Sequence, residues 1–309
     1  MRSQKRKKKK WTRITGILLL ILLIAGGVYG YSVLHSVKST VETMHQPIER
    51  IAPKKRAEPL TLSTKQPFSV LMLGVDERKG DKGRSDTIII LTVNPNKHSV
   101  KMLSIPRDTR TEIVGKGKED KINHAYAFGG VPMSMDTIEK FLDIPIDYYM
   151  KINMEGFKDI VDAVGGVTVN NDLDFTQDGI YFPKGRIKLN GEKALSFTRM
   201  RHEDPRGDFG RQLRQREIIQ AIIHEGASVS SLANYNSILG AIGKNVKTNL
   251  TFDEMVDIQK NYKDAANNIE QISIQEKGTM INKIYYGIVA PEEKQRIQNE
   301  LKKHLELNK

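Results

Sequence analysis

The N-terminus of this chain joins a run of basic residues to a long uncharged stretch. Eight lysines and arginines, and no acidic residue, precede residue 14, and residues 14–34 then carry no charge. A helix of that length, rising about 1.5 Å per residue, spans roughly 30 Å, which is the thickness of the hydrocarbon core of a bilayer. Because basic residues before an apolar span stay in the cytoplasm, the sequence predicts a single-pass, type II cell-membrane protein.

This stretch divides the chain into predicted segments. Residues 1–13 are the cytoplasmic basic segment, residues 14–34 the transmembrane signal-anchor, and residues 35–66 an extracellular stalk that contains several prolines. Residues 67–309 form one extracellular domain. A cleaved signal peptide is the alternative, but the stretch is longer than the ~7–15 apolar residues of such peptides, and the small residues at 25–27 fall inside it.

The charge of the chain is concentrated at its start. The net charge is +12, and the basic N-terminus supplies eight of these charges. The exported part is therefore only mildly basic, so polyanion binding has to be argued from local clusters of arginine. The chain has no cysteine, which excludes thiol nucleophiles, thiolate metal sites and disulfides. No nucleic acid is expected as a partner, because the predicted topology puts the domain outside the cell.

Strand-like and helical patterns alternate along the exported domain. The apolar or β-branched runs at 68–75, 87–93 and 99–105 are typical of buried strands, and helical spacing is strongest at 208–226. Further strands are predicted at 148–152, 167–169 and 196–201, and further helices at 133–142, 154–164, 250–262 and 291–307. This interleaving predicts an α/β domain with a central mixed β-sheet flanked by helices on both faces, an α/β/α arrangement.

Charged residues flank the first three predicted strands. Asp76 follows the first strand, Arg84 and Asp86 lie just before the second, and Arg107 follows the third. If the strands form an antiparallel meander, these residues meet at one edge of the sheet. Two carboxylates suit a hard cation such as Mg²⁺, and guanidinium groups pair with phosphate oxygens. The edge is therefore a candidate site for a metal ion and a phosphate group.

Residues 199–216 are the most concentrated basic segment of the exported domain, with six arginines. On the predicted strand, Arg199 and Arg201 point to the same face. On the helix that follows, free backbone N–H groups in the first turns also favour anions. The helix residues that neighbour one another at positions i, i+3 and i+4 are Arg211, Arg214 and Gln215. The segment predicts a site for a polyanionic group of about the size of a pyrophosphate.

Each of these features also has a plainer interpretation. Single aspartates such as Asp76 and Asp86 are more often turn residues than ligands. A basic helix face is usually solvated and paired with nearby acids such as Glu203 and Asp204. The joint occurrence of these features, several of them at one sheet edge, favours a phosphate site over separate structural roles.

Six motifs follow one another behind the basic anchor: LMLGVDER, GRSDTI, SIPRDT, DKINHAYAFGG, FTRMR and DPRGDFGRQLRQRE. They resemble the LytR–CpsA–Psr family, from about residue 68 to residue 226. The resemblance implies a transferase on the surface of a Gram-positive cell. Such an enzyme moves an anionic glycopolymer, here wall teichoic acid, from a polyprenyl-pyrophosphate carrier in the cell membrane to peptidoglycan. The implied acceptor is the C6 hydroxyl of N-acetylmuramic acid, and polyprenyl phosphate leaves.

The resemblance also implies roles for single residues. Asp76 and Asp86 would hold Mg²⁺ or another divalent cation, and Asp208 matches a further motif acid with a supporting or base role. With Arg107, these three acids are the catalytic candidates. The residues expected to bind the pyrophosphate are Arg84, Arg107, Arg199, Arg201, Arg211 and Gln215. The nearby arginines not expected to touch it are Arg206, Arg214 and Arg216.

Three other functions remain open from the sequence. A hydrolase that acts on the same lipid pyrophosphate needs the same site, with water in place of the sugar hydroxyl. A non-catalytic surface protein that binds acidic polymers needs only the arginines. A nucleic-acid-binding regulator conflicts with the predicted topology, because the arginine cluster would lie on the outer side of the membrane.

Overall fold

The computed structural model describes residues 29–49, 55–56, 59–77, 83–226 and 235–307. Its strands, in chain order, are β1 (Phe68–Val75), β2 (Ser85–Asn94), β3 (Ser99–Ser104), β4 (Arg110–Ile113), β5 (Lys118–Lys121), β6 (Tyr148–Asn153), β7 (Val167–Asn171), β8 (Phe175–Gln177), β9 (Ile180–Phe182), β10 (Gly185–Leu189), β11 (Val246–Thr248), β12 (Ile269–Ser273), β13 (Lys277–Ile281) and β14 (Ile284–Ile288). Its helices are α1 (residues 29–44), α2 (His124–Leu142), α3 (Met154–Ala163), α4 (Gly191–Arg199), α5 (Asp208–Gly226), α6 (Tyr235–Asn245), α7 (Phe252–Tyr262) and α8 (Pro291–His304).

A six-stranded sheet forms the centre of the domain, in the order β11–β6–β1–β2–β3–β12. Strands β1, β2 and β3 form an antiparallel meander. Strand β6 lies parallel to β1, and β12 lies parallel to β3. The mixed sheet and the meander predicted from the sequence are both confirmed.

Alternate residues of β1 pack on opposite faces of this sheet. Leu71 and Leu73 lie in a core with apolar side chains of α2 and α8. Phe68 and Val70 lie in a second core with side chains of α7 on the other face. Each such burial stabilises the fold by about 1.5–3 kcal/mol, and a shift of one residue would exchange the two faces. Helices therefore cover both faces of the sheet, as predicted.

A smaller core lies beside the sheet and carries the arginine-rich segment. Here α3, α4 and α5 pack around the β7–β10 ribbon through Val161, Val169, Phe197 and Ile218, which are all buried. Asp208 and Arg211 lie in the first turns of α5. The packing of this core therefore sets the orientation of the arginine-rich N-terminal part of the helix.

The prediction of a strand at residues 196–201 is wrong. Residues 196–199 belong to α4, which Asn190 caps by accepting a hydrogen bond from the backbone N–H of Lys193. Its buried face, with Phe197 at its centre, fills the smaller core. Arg199 therefore ends a helix, and Arg201 lies in the irregular segment after it, so the two do not share a strand face. Packing of the apolar helix face outweighs the local resemblance to a strand.

The described part of the N-terminal segment packs against the domain. Val41 and Met44 at the end of α1 are buried, and the Nε atom of Arg56 lies 2.6 Å from a carboxylate oxygen of Asp147. These residues belong to the segment predicted as a stalk. The predicted membrane span, residues 14–34, lies outside the described residues except for its last six. Within the described ranges no helix is both long and apolar enough to cross a membrane.

Asp204 organises the turn that leads into α5. Its carboxylate accepts hydrogen bonds from the guanidinium groups of Arg206, at 2.9 Å, and Arg214, at 2.6 Å. A side chain at Gly210 would collide with this carboxylate. Burial opposes ionisation, but the hydrogen bonds from Arg206 and Arg214 hold the pKa of Asp204 below its ordinary value. The DPRGDFGRQLR motif thus uses two of its arginines and a glycine to hold one buried acid.

Arg216 ties α5 to the sheet. Only 1% of this residue is exposed. Its Nε donates to the side-chain oxygen of Gln271 on β12, and its Nη1 donates to the hydroxyl of Ser104 at the end of β3, both at 2.8 Å. Burial lowers the pKa of Arg216. The bonds place the N-terminal half of α5 beside the sheet edge where β3 ends.

Asp204→Ala is expected to lower the free energy of unfolding by about 3–5 kcal/mol, because it leaves a buried cation without its partner. The matched change Asp172→Ala removes an exposed partner of Arg206 and should cost less than about 1 kcal/mol. Urea denaturation followed by circular dichroism measures both. Since the pKa of Asp204 is depressed, its contribution is present above about pH 4 and is lost as the pH falls through the folded pKa. Equal costs for the two variants would contradict this role.

Arg216→Ala is expected to lower the free energy of unfolding by about 3 kcal/mol, because it leaves a cavity and unsatisfied partners. The control Arg296→Ala removes an arginine of similar size whose ion pairs lie on the exposed face of α8. Its cost should stay below about 1 kcal/mol. A small effect of Arg216→Ala in the same denaturation experiment would show that α5 is held by other contacts.

Candidate active site

The end of β1 and the start of β2 bring three of the predicted site residues to one edge. The backbone N–H of Asp76 donates to the carbonyl of Arg84 at 3.2 Å, and Asp86 follows as the second residue of β2. Gly83 has φ of +67°, and a side chain there would collide with the carbonyl of Asp76. Only glycine fits this position, so the GRSD motif sets the approach of the two chain segments.

Arg107 joins this edge from the end of β3. Its Nη1 donates to Oδ1 of Asp86 at 2.9 Å, as the predicted meander requires. Burial works against the protonated form, but the charges of Asp86 and Asp108 raise the pKa of Arg107 above its ordinary value. Asp208 on α5 adds to this effect, so the start of α5 lies close to the same edge.

The first turn of α5 supplies a second arginine and a third acid. The guanidinium group of Arg211 lies 2.7 Å from Oδ1 of Asp208, and the side chain of Gln212 donates to Oδ2 at 2.9 Å. Only 7% of Arg211 is exposed. Burial lowers its pKa, and the positive charges of Arg107 and Arg201 act in the same direction. The positive charges of Arg107 and Arg201 are thus close to that of Arg211, which is largely shielded from water.

Two donors of this cluster lack acceptors. The Nε atoms of Arg107 and Arg211 are buried and have no hydrogen-bond partner among the described residues. Buried polar atoms are normally satisfied, and each exception calls for an explanation. A bound anion would supply acceptors for both Nε atoms, so the geometry is compatible with an anionic ligand.

The predicted residues differ in how closely they join this cluster. Asp86, Arg107 and Asp208 are linked to it by the contacts above, and Arg201 by its effect on the pKa of Arg211. Asp76 is placed at its edge by the β1–β2 turn. Within the described ranges, no hydrogen bond or ion pair joins this cluster to the side chains of Arg84, Arg199, Arg201 or Gln215. Their proposed contacts with a ligand stay predictions.

The donor set at the sheet edge fits Mg²⁺. Among the described residues, no group of three or more acidic or histidine side chains is arranged to hold a metal ion. Mg²⁺ does not need one, since it typically binds one or two carboxylates together with water and substrate phosphate. Asp76 and Asp86 provide two carboxylates beside an anion site, and the bond from Arg107 uses only Oδ1 of Asp86. The metal ligands stay a prediction that this chemistry supports.

Sequence reasoning missed two parts of the surroundings. Lys121, from the DKINHAY motif, lies 2.5 Å from the carboxylate of Asp108 and reaches the site through the β4–β5 hairpin. Glu276 precedes the β13–β14 hairpin and interacts with Asp108 and Asp208. The turn residues Asn282 and Lys283 both have positive φ, as in a tight hairpin turn. That turn, between two apolar runs, was the available signal for the hairpin.

The chain is similar to proteins of one family over nearly all of its length. The LytR_cpsA_psr family profile matches residues 31–303. A relative from Bacillus mycoides (strain KBAB4), named polyisoprenyl-teichoic acid–peptidoglycan teichoic acid transferase TagU, is 57% identical over 304 residues, which are 98% of this chain and 100% of the relative.

Solved structures agree with this similarity. The crystal structure of B. subtilis TagU is 51% identical, with a TM-score of 0.62 over 78% of this chain and 97% of that chain. A structure of TagT bound to LIIa-WTA is 31% identical, with a TM-score of 0.70 over 85% of this chain and 100% of that chain. The resemblance drawn from the six motifs is confirmed, and the chain belongs to the LytR–CpsA–Psr family.

Proposed function

We propose that the chain transfers wall teichoic acid from its polyprenyl-pyrophosphate carrier to the C6 hydroxyl of N-acetylmuramic acid in peptidoglycan and releases polyprenyl phosphate. The name of the TagU relatives supports the polymer, the lipid carrier and the acceptor as classes. The observation that carries the proposal is the pair Arg107 and Arg211, whose Nε atoms are buried and have no acceptor within the described structure. Such a pair fits a pyrophosphate.

The arrangement suits displacement at phosphorus. Attack on the pyrophosphate builds negative charge on the bridging oxygen that leaves with the lipid. Asp86 and Asp208 hold Arg107 and Arg211 in place, so their charges need little reorganisation during the reaction. The residues that would extend this contact along the substrate are Arg84, Arg199, Arg201 and Gln215. Mg²⁺ held by Asp76 and Asp86 would neutralise further charge on the phosphates.

The predicted anchor fits the same proposal. A polyprenyl carrier lies in the cell membrane, and residues 14–34 would hold the site on the outer side of that membrane. The cell membrane and peptidoglycan are therefore the expected surroundings of the domain, and the lipid-linked polymer reaches the site without leaving the bilayer.

The direct test incubates the full-length chain in detergent with a lipid-pyrophosphate-linked glycan, Mg²⁺ and uncrosslinked peptidoglycan. The expected product is glycan joined to peptidoglycan through a phosphodiester, detected by mass spectrometry after muramidase digestion. Free phosphorylated glycan without an adduct would identify a hydrolase instead. Binding of glycan with no product of either kind would favour the non-catalytic interpretation.

Arg211→Ala is expected to lower kcat for transfer by about 10²–10³-fold, the usual effect of losing one preorganised donor to a developing charge. Arg186→Ala, on the exposed side of β10, is the matched control and should leave the rate unchanged. Initial rates of phosphodiester formation measure both. An Arg211→Ala variant that is folded and fully active would remove this arginine from the mechanism.

Asp76→Asn and chelation of divalent cations by EDTA are each expected to lower the transfer rate by at least about 100-fold, if the two carboxylates hold Mg²⁺. Added Mg²⁺ should restore the EDTA-treated wild type but not Asp76→Asn. Asp264→Asn changes an exposed aspartate far from the edge in sequence and serves as the control. Full activity after chelation would contradict the metal requirement.

A further inference from the structure

The β13–β14 hairpin is docked on the loop that carries Arg107. The backbone N–H of Gly287 in β14 donates to the carbonyl of Asp108 at 3.0 Å, and Thr109 forms a parallel bridge with the same glycine. Glu276 is the residue just before β13, and its side chain lies over Gly287, the residue that makes this contact. The hairpin thus forms one wall beside the anion-binding cluster.

Glu276 is held in this wall by packing and one hydrogen bond. The hydroxyl of Thr109 donates to its Oε2 at 3.1 Å. The carboxyl group covers Gly287, where any side chain would collide with it. Burial raises the pKa of Glu276 to about 7, and the charges of Asp208 and Asp108 act in the same direction. The geometry keeps a carboxyl group beside two other acids of the site.

The neighbouring acids are already paired with cations. Asp86 pairs with Arg107, Asp208 with Arg211, and Asp108 with Lys121. Among the described residues, no lysine or arginine forms an ion pair with Glu276. The carboxylates of these three aspartates are therefore already engaged by cations, whereas that of Glu276, within the described ranges, is not. Glu276 is therefore the acid of this group that is best suited to accept a proton near neutral pH.

An open aromatic face lies next to Glu276. The ring of Tyr285 crosses Gly278, whose added Cβ would stand 2.7 Å from the Tyr285 hydroxyl. Tyr285 is 47% exposed, and its cross-strand partner Met280 is 63% exposed. Burial raises the pKa of Tyr285, and the charges of Glu276, Asp108 and Asp208 add to this effect. A rigid ring with an apolar face and a polar tip thus borders the same acids.

We propose that Glu276 accepts the proton of the acceptor hydroxyl and that the hairpin face of Tyr285 and Met280 holds the acceptor sugar beside it. This inference rests on the proposed transferase function. As the hydroxyl oxygen forms its bond to phosphorus, its proton passes to the carboxylate of Glu276. The bond from phosphorus to the bridging oxygen breaks, and that oxygen keeps the electron pair and leaves as polyprenyl phosphate. Glu276 then returns the proton to solvent.

The groups that face Glu276 decide how its activity depends on pH. Asp108 and Asp208 favour its protonated form, whereas the hydroxyl of Thr109 favours the carboxylate. Tyr285 stands on the hairpin side, and the cations nearest the two aspartates are Lys121 and Arg211. A base has to be deprotonated to work, so kcat/KM for the acceptor should fall as the pH drops below about 7.

The first test measures transfer by the full-length chain in detergent, with saturating donor. Glu276→Gln is expected to lower kcat by about 10²-fold, the typical contribution of a general base, and to abolish the loss of rate below neutral pH. Binding of the donor should be unchanged, because the anion cluster is intact. Glu270→Gln, a glutamate on the exposed side of β12, should keep both the rate and the pH profile of the wild type.

Glu276→Asp separates chemistry from folding. It keeps a carboxylate but shortens its reach, so it should recover about tenfold of the lost rate and keep the acidic fall in the pH profile. A structural role alone would predict equal losses for both variants, with lower thermal midpoints and weaker donor binding. A Glu276→Asp variant no faster than Glu276→Gln, or a wild-type pH profile in Glu276→Gln, would overturn the assignment.

The second test does not need turnover. Calorimetry measures binding of soluble, uncrosslinked glycan strands of peptidoglycan to the full-length chain. Tyr285→Ala should weaken binding by about tenfold, whereas Tyr285→Phe, which keeps the ring, and Tyr181→Ala, an exposed tyrosine on the β8–β9 hairpin, should not. If the wild type makes no phosphodiester, the proposed transferase function is wrong. The calorimetric comparison of Tyr285→Ala with the wild type still tests the glycan-binding surface on its own. Equal binding by Tyr285→Ala and the wild type would overturn it.

Discussion

The buried carboxylate of Asp204 is the contact on which the position of the site depends most. It joins Arg206 before α5 to Arg214 within it and packs against Gly210 between them. A buried acid with two guanidinium partners is stable only in one geometry, so the first turns of α5 have one orientation. Arg216 then ties the same helix to the sheet. Asp208 and Arg211 are therefore positioned by the buried contacts of Asp204 and Arg216.

The acidic residues of the site differ in their partners, and these partners determine the role of each acid. Asp86 and Asp208 each neutralise one arginine and fix its position, which leaves the arginines charged but not fully satisfied. Glu276 has hydroxyl and backbone neighbours instead, and its pKa near 7 reflects that difference. Acids of one chemical type thus fit different roles, as partners of arginines or as the proposed base, because their neighbours differ.

Burial of Arg211 close to Arg107 disfavours its charged form. Burial and like charges lower the pKa of Arg211, and both arginines keep an Nε atom without an acceptor. On the proposed function, a bound pyrophosphate would provide the missing acceptors. The arginines would then be in position before the substrate arrives, which is the condition for stabilising a transition state without reorganisation.

The meander and the helix at 208–226 were predictable from the sequence, because apolar periodicity and short turns determine local structure and the neighbours of consecutive strands. That is why Asp76, Asp86 and Arg107 could be assigned to one edge. Arg199 was placed on a strand in error, since only packing in the smaller core shows that Phe197 belongs to a helix face. Spacing alone could not separate Arg211 from Arg214, which share one helix and one motif, and only the family resemblance assigned them different roles. Only the tertiary structure decided that Asp204 holds Arg214, that Arg211 pairs with Asp208 near Arg107, and that Glu276, 68 residues after Asp208 in the chain, comes close to it. These contacts join residues far apart in the chain, and their energies depend on burial and on neighbouring charges that no local pattern contains.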